Sequence, residues 1–418
     1  MPKLQAVGRV TLTVLAQGLS SVTNFAAAAL ALAAADGDLG AFGRFAIAFQ
    51  LCQVVIAIAQ ASTGTSVLIH SVRSDGPESA DNIRAGAATA ALLTGLVLGG
   101  AIALGGSLVG GELRTPLLIA GAGCAALTAQ YTLRSARFAR QDPSGVVRAD
   151  GIWLAVLLAA AAGDAFGGWD PTANAYLAVW LIGAFISAVP AILLGIGPGR
   201  HHLPTFWRTT GPQAIRTGLD GLLARSVFVT TLISTEIIID DEASGFLAAA
   251  VLVFSPMTVV HSSALAVLIP GTIRDKGIHV AGQALPLRVF GSIAGVTLGW
   301  AVLLLVLNET SVGVGPFDLD ANGVTGVLFA ATLVRFLGLA FWRGPVIALR
   351  VADAATESLR ARSIGTAAQW ILPVVGLLLA DLSGGAWGLA IATWFGAAVA
   401  WRQYGSLRRA SGHLDLAD

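Results

Sequence analysis

The chain has little charge. Of its 418 residues only 12% are Asp, Glu, Lys or Arg, against 55% that are apolar. A water-soluble protein of this length needs a polar shell that such a composition cannot supply. Lysine is almost missing, represented by Lys3 and Lys276, while arginine and alanine abound, a bias that fits a GC-rich bacterial genome. The two cysteines, Cys52 and Cys124, both fall in apolar runs, which argues against a disulfide framework and against a metal site. Also lacking are a phosphate-cradling Walker loop, a G-x-S-x-G nucleophile, a His/Cys set at metal spacing and a dinucleotide fingerprint. No cofactor is expected, ATP hydrolysis by this chain is not expected, and no nucleic-acid partner is suggested.

What the chain has instead is apolar runs of membrane length, with a mean hydropathy of +0.77. Each is long enough to cross a hydrocarbon core of about 30 Å. Twelve spans are predicted, at residues 10–35, 39–68, 85–109, 114–133, 148–168, 172–197, 217–239, 243–270, 286–308, 321–342, 363–381 and 384–404. The connecting loops test the count. Alternate loops and both termini hold twenty-two basic residues, the other loops only Arg114 among many carboxylates, with Arg44 and Arg225 inside spans. By the positive-inside rule both termini are cytoplasmic. A signal peptide near Lys3 and Arg9 is rejected, because the run from Val10 to Ala35 is too long for one.

The stretch from Gln17 to Leu68 has a counterpart about 200 residues later. In each, a polar-faced apolar run leads into an acidic turn, D-G-D-L-G-A-F or D-D-E-A-S-G-F, and then into a second run ending V-L-I. The expected architecture is all-α integral membrane, two parallel six-helix halves related by an axis along the membrane normal. The halves are 1–197 and 217–404, joined by a Pro- and Gly-bearing cytoplasmic linker at 198–216 and followed by a cytoplasmic tail at 405–418. Gly95-x-x-x-Gly99 and Gly106-x-x-x-Gly110 are expected to pack helices closely. The inner loop 343–362 is expected to form a surface helix with Val346, Leu349 and Ala352 as a weak apolar stripe. The basic cluster Arg134–Arg148 is a topology signal, with lipid head groups as its secondary contact.

Ionisable and polar residues inside spans are the candidates for function. Gln17, Ser20, Ser21 and Asn24 share one helical face; with Gln50, Gln53 and Gln60 of the second span they suit sugar hydroxyls or water, or else hold helices together. Arg44, near the outer end of the second span, is either an anion contact or a partner of Asp36 or Asp38. Arg225, two turns into the seventh span, is either a phosphate contact or a partner of Asp220. Asp220 and Glu236 are the candidates for ion coupling, or else lie at the interfaces. His261, within S-P-M-T-V-V-H-S-S, is either a hydrogen-bonded packing residue or a proton relay.

With Q-G-L-S-S-V-T-N-F in the first span, L-G-A-F-G-R-F after the first outer turn and R-S-A-R-F-A-R … R-A-D-G-I-W around the second inner loop, the chain resembles the polysaccharide-transport (Wzx-like) branch of the MOP exporter superfamily. The resemblance covers essentially the whole chain. It implies a V-shaped, MATE-like pair of bundles with alternating access, not an enzyme, in the bacterial plasma membrane. The implied substrate is a polyprenyl-diphosphate-linked oligosaccharide moved to the outer leaflet. The implied partners are membrane lipids and a polysaccharide polymerase or glycosyltransferases. Relatives that flip peptidoglycan precursor place several arginines in the first two spans, where this chain has Gln17, Asn24 and Gln50. The competing expectations are an ion-coupled exporter of drugs or metabolites from the same superfamily, a major-facilitator transporter, whose loop motif H-S-V-R-S-D-G-P-E does not match, and a membrane glycosyltransferase, for which the outer turns are too short.

Overall fold

The structure, a computed structural model, describes residues 2–73, 76–193, 198–258, 284–310, 317–351 and 355–414. Among these residues all regular structure is helical. The chain forms two compact units, Met1–Val229 and Thr230–Asp418.

The first unit is built from α1 (Pro2–Ala34), α2 (Leu39–Ala59), α3 (Thr65–Arg73), α4 (Pro77–Val109), α5 (Arg114–Ala139), α6 (Pro143–Gly167), α7 (Ala173–Ala191) and the larger part of α8 (Leu203–Ile238). A single π turn, Gln60–Gly64, joins α2 to α3. Local chemistry places the ends. Asp36 and Gly37 take positive φ (45° and 86°) to turn the chain, and the Asp38 carboxylate accepts the Ala41 N–H at 2.8 Å to cap α2. Asp142 caps α6 through the Gly145 N–H at 2.8 Å, with Pro143 just inside the helix. α4 lies along α5 at the spacing small residues allow: a Cβ on Gly95, Gly99 or Gly106 would collide with Ala125, Gly121 or Leu117. Gly110 does not share that role. It has φ 68° and ends α4 instead.

The second unit comprises the remainder of α8, α9 (Asp241–Val253), α10 (Ala284–Glu309), α11 (Gly326–Val351) and α12 (Ala355–Leu414). Asp240 caps α9 through the Ala243 N–H at 2.7 Å, the same device that Asp38 supplies to α2. α12 is two arms rather than one rod. At Ala380 and Asp381 the backbone leaves the helical region, Asp381 taking φ 50° and ψ −148°. The arms then fold back antiparallel: Gly376 meets Gly384, Gly388 meets the Leu372 backbone, and Gln369 Nε2 donates to Thr393 Oγ1 at 3.2 Å.

Ten helices of the described chain have the length and hydropathy of a membrane span, with Thr356–Arg409 counted once. The chain is a multi-pass membrane protein. The expected spans 363–381 and 384–404 are the two arms of α12, and only the beginning of the expected span 243–270 falls within the described residues. Three expectations change. The segment 198–216 is helical from Arg200 and runs into α8, with Pro204 in its first turn and Pro212 inside it. The described residues of 343–362 belong to α11 and α12 rather than to a separate surface helix: Val346 and Leu349 continue α11 and are buried, Val346 beside Trp342, Ala361 and Ala397, while Ala352 lies outside the described residues. Arg134 and Arg137 are not loop residues but buried members of α5.

Candidate functional site

The polar face of α1 meets α5, and the residue it meets there is Tyr131. Ser20 Oγ lies 3.4 Å from the Tyr131 hydroxyl, and Asn24 Nδ2 donates to that hydroxyl at 3.3 Å. Gln53 Nε2 of α2 in turn donates to Asn24 Oδ1 at 3.3 Å. Ser20, Tyr131 and Gln53 are buried, and Asn24 is half-buried. Tyr131 is backed by aromatic rings: Trp153 lies edge-on at 5.9 Å, Trp180 follows at 5.6 Å from Trp153, and the Trp153 indole N–H donates to the Trp180 carbonyl at 2.7 Å. The phenol is thus held in one place with its hydroxyl among polar groups of α1 and α2.

Arg225 of α8 lies within electrostatic reach of the Tyr131 hydroxyl. It is exposed, and among the described residues its guanidinium forms neither an ion pair nor a side-chain hydrogen bond. Asp220, half-buried on the same helix, is not its partner. α8 reaches this position because Gly218 and Gly221 let it close on α2: Gly221 faces the Ala57 carbonyl and Gly218 faces Ser62.

The other candidates lie elsewhere. Arg44 is committed to carboxylates of the turns, Glu112 at 2.7 Å and Asp38 at 4.0 Å. Gln17 accepts from Arg134 Nη2 at 3.2 Å and belongs to a separate buried cluster. Glu236 is half-buried in the second unit, and His261 lies outside the described residues. The structure therefore brings Ser20, Asn24, Gln53 and Arg225 into one neighbourhood and leaves Arg44 and Gln17 out of it. Tyr131 was missed from the sequence because an uncharged aromatic in an apolar run gives no signal. The pair Arg134 and Asp150 was missed because Arg134 was assigned to a loop, although Asp150 inside a span is itself such a signal.

Chemically, the described residues of this neighbourhood offer neutral hydrogen-bonding groups and the Arg225 guanidinium. Hydroxyl and amide groups exchange hydrogen bonds with hydroxyl-rich ligands, and a guanidinium pairs with phosphate through parallel N–H donors. Among the described residues no group of three His, Cys, Asp or Glu could hold a metal ion.

No protein-family model matches the chain, and no curated protein matches it. Solved structures do. A lipid II flippase, MurJ, in an inward closed conformation aligns with a TM-score of 0.69 at 14% identity, over 93% of this chain and 86% of that one. An inward-facing multidrug resistance MATE family transporter of the MOP superfamily aligns at 0.66 and 14% identity, over 97% and 99%. A MOP superfamily transporter from Pyrococcus furiosus, whose binding pocket has reversed polarity, aligns at 0.61 and 14% identity, over 97% and 96%. The chain has the fold these transporters share.

Proposed function

We propose that the protein flips a polyprenyl-diphosphate-linked oligosaccharide from the cytoplasmic to the outer leaflet of a bacterial plasma membrane by alternating access. The observation that carries this reading is Arg225, an exposed guanidinium that, among the described residues, forms no ion pair or side-chain hydrogen bond and lies near Tyr131, which Asn24 and Ser20 contact. Such a substrate needs a cation for its phosphates and neutral donors and acceptors for its sugars, while its prenyl chain stays in lipid. A guanidinium with no carboxylate attached to it is costly to hold within a membrane span, and an anionic ligand offsets that cost. In this reading both termini are cytoplasmic, and a polymerase or glycosyltransferase uses the glycan at the outer surface. The alternative is an ion-coupled exporter of drugs or metabolites, since multidrug resistance MATE family transporters share the fold. That reading needs an exchangeable acid deep in the fold, for which Asp220 and Glu236 are the candidates.

The test is a leaflet assay. The protein is depleted, and polyprenyl-linked glycans in spheroplasts are probed with impermeant periodate or a lectin. The expected result is a protected, inward-facing lipid-glycan pool that wild type and Arg44→Ala clear and Arg225→Ala does not. An unchanged pool with unchanged sidedness, in cells newly sensitive to cationic drugs, would overturn the flippase reading in favour of the exporter.

A further inference from the structure

The first unit holds a second polar cluster, which the proposed substrate site does not use. At its centre is Asp150 of α6, 0% exposed, the only carboxylate among the described residues that is buried. Gln130 Nε2 of α5 donates to Asp150 Oδ1 at 3.2 Å, while Gln130 Oε1 is buried without a hydrogen-bond partner. Two more oxygens come from α1, the Ala16 carbonyl and Gln17 Oε1. Arg134 sits among them all. Its Nε donates to Asp150 Oδ2 at 3.0 Å, and its Nη2 donates to the Ala16 carbonyl and to Gln17 Oε1, each at 3.2 Å.

Without the arginine, this would be a buried carboxylate surrounded by neutral oxygens from three helices. That is a donor set suited to a small hard cation or to a proton, and within a membrane such sites mark ion pathways. Here the positive charge is covalently attached, and a guanidinium keeps its proton at any pH the protein meets. The other groups facing Asp150 do not change this. Arg137 of α5 acts on it through space, with one guanidinium nitrogen bound to the Gly145 carbonyl. α1 from Thr11 to Ala34 carries no ionisable residue, and the only titratable residue of α7, Tyr176, donates to Asp164 at 3.0 Å.

We propose that Arg134 is a tethered counter-cation occupying what would otherwise be an ion site, so that Asp150 exchanges neither Na+ nor H+. This rests on the transporter reading above and deepens it: substrate movement is not coupled to either ion through the buried acid of the first unit. Net export then draws on another acid or on a reaction at the outer surface that consumes the flipped glycan and releases its lipid carrier.

The test needs no glycan, so its outcome is separable from that of the leaflet assay. Purified full-length protein in detergent is titrated with NaCl against choline chloride at fixed ionic strength, and separately between pH 5 and 8. Tryptophan emission (Trp153 lies one turn from Asp150) and the thermal midpoint are read. Wild type is expected to show no saturable Na+ response, and Asp150→Asn is expected to remove no pH transition. Arg134→Gln is expected to gain a midpoint that rises with Na+ or with acid by several degrees, a gain lost in Arg134→Gln/Asp150→Asn. Arg134→Lys, which keeps the charge, is expected to stay unresponsive even if Arg134→Gln does not fold. A saturable wild-type response abolished by Asp150→Asn, a folded Arg134→Gln that responds to neither ion, or an Na+-responsive Arg134→Lys would each overturn the proposal.

Discussion

Arg44 and Arg134 belong to the same unit, and each meets carboxylates, yet the two sites are opposites. Arg44 reaches Asp38 and Glu112, whose side chains are 64% and 75% exposed. Arg134 meets an Asp150 that has no contact with solvent, and its Nη2 donors are taken by α1. At the turn, water stands ready to replace either partner. In the interior nothing can, so what one group loses the other cannot recover from solvent. The same residue type is a minor contact in one place and an obligatory one in the other, and the difference is desolvation rather than distance.

Breaking the interior pair should therefore have the largest effect. Asp150→Ala leaves the Arg134 guanidinium buried without its counter-charge, at an expected cost of about 3–5 kcal/mol. This would appear as a large fall in the thermal midpoint of the purified protein. A midpoint within a degree or two of wild type would mean that water reaches the cluster, and the comparison would fail.

An intermediate effect is expected at Asp142. Partial burial raises the Asp142 carboxyl, but the Gly145 N–H, the Ser144 hydroxyl, Arg137 and Arg148 together outweigh it and hold the pKa below the usual carboxylate range. Asp142→Ala should cost about 1 kcal/mol as a lost helix cap. Because the folded pKa is the lower one, the wild-type advantage is present above the unfolded value near ~4 and is lost as pH falls through the folded value. Melts of the two proteins should therefore converge as the pH is lowered toward about 3; a difference that persists there would assign the effect to packing.

The smallest effect is at the turn. Glu112→Gln should cost less than about 1 kcal/mol, diminishing further in high salt. A loss as large as that of Asp150→Ala would show the outer pair to be shielded from water, and would erase the contrast.

Much of this architecture was legible in the sequence, because membrane helices announce themselves by composition and their turns by acidic caps. Asp38 and Asp240, noticed first as a repeated acidic turn, cap their helices in the same way. The break that divides α12 falls at Asp381, at the end of the predicted span 363–381. The candidate site was legible only in part. The shared face of Ser20 and Asn24 was correct as periodicity, but its partner Tyr131 carries no charge and stands in no motif. Charge counting misled at Arg134: a rule that assigns basic residues to loops has no means of seeing one folded inward against Asp150. Pro212 and Gly211 suggested a linker, yet a 36-residue helix runs through them, with packing along its length overriding local preference.

The π turn at Gln60–Gly64 has a consequence of its own. It behaves as a helix with one residue inserted, so every side chain beyond it is rotated by roughly 100° from where an uninterrupted wheel would place it. Thr63 on that turn meets Thr132 at 2.8 Å, and Gly64 meets Ser135. A helical projection drawn through 39–68 as one cylinder therefore aligns Gln50 and Gln53 correctly with each other and misaligns both with Ser66. A chain one residue shorter here would have a straight second helix whose C-terminal end presents a different face to α5 and α8.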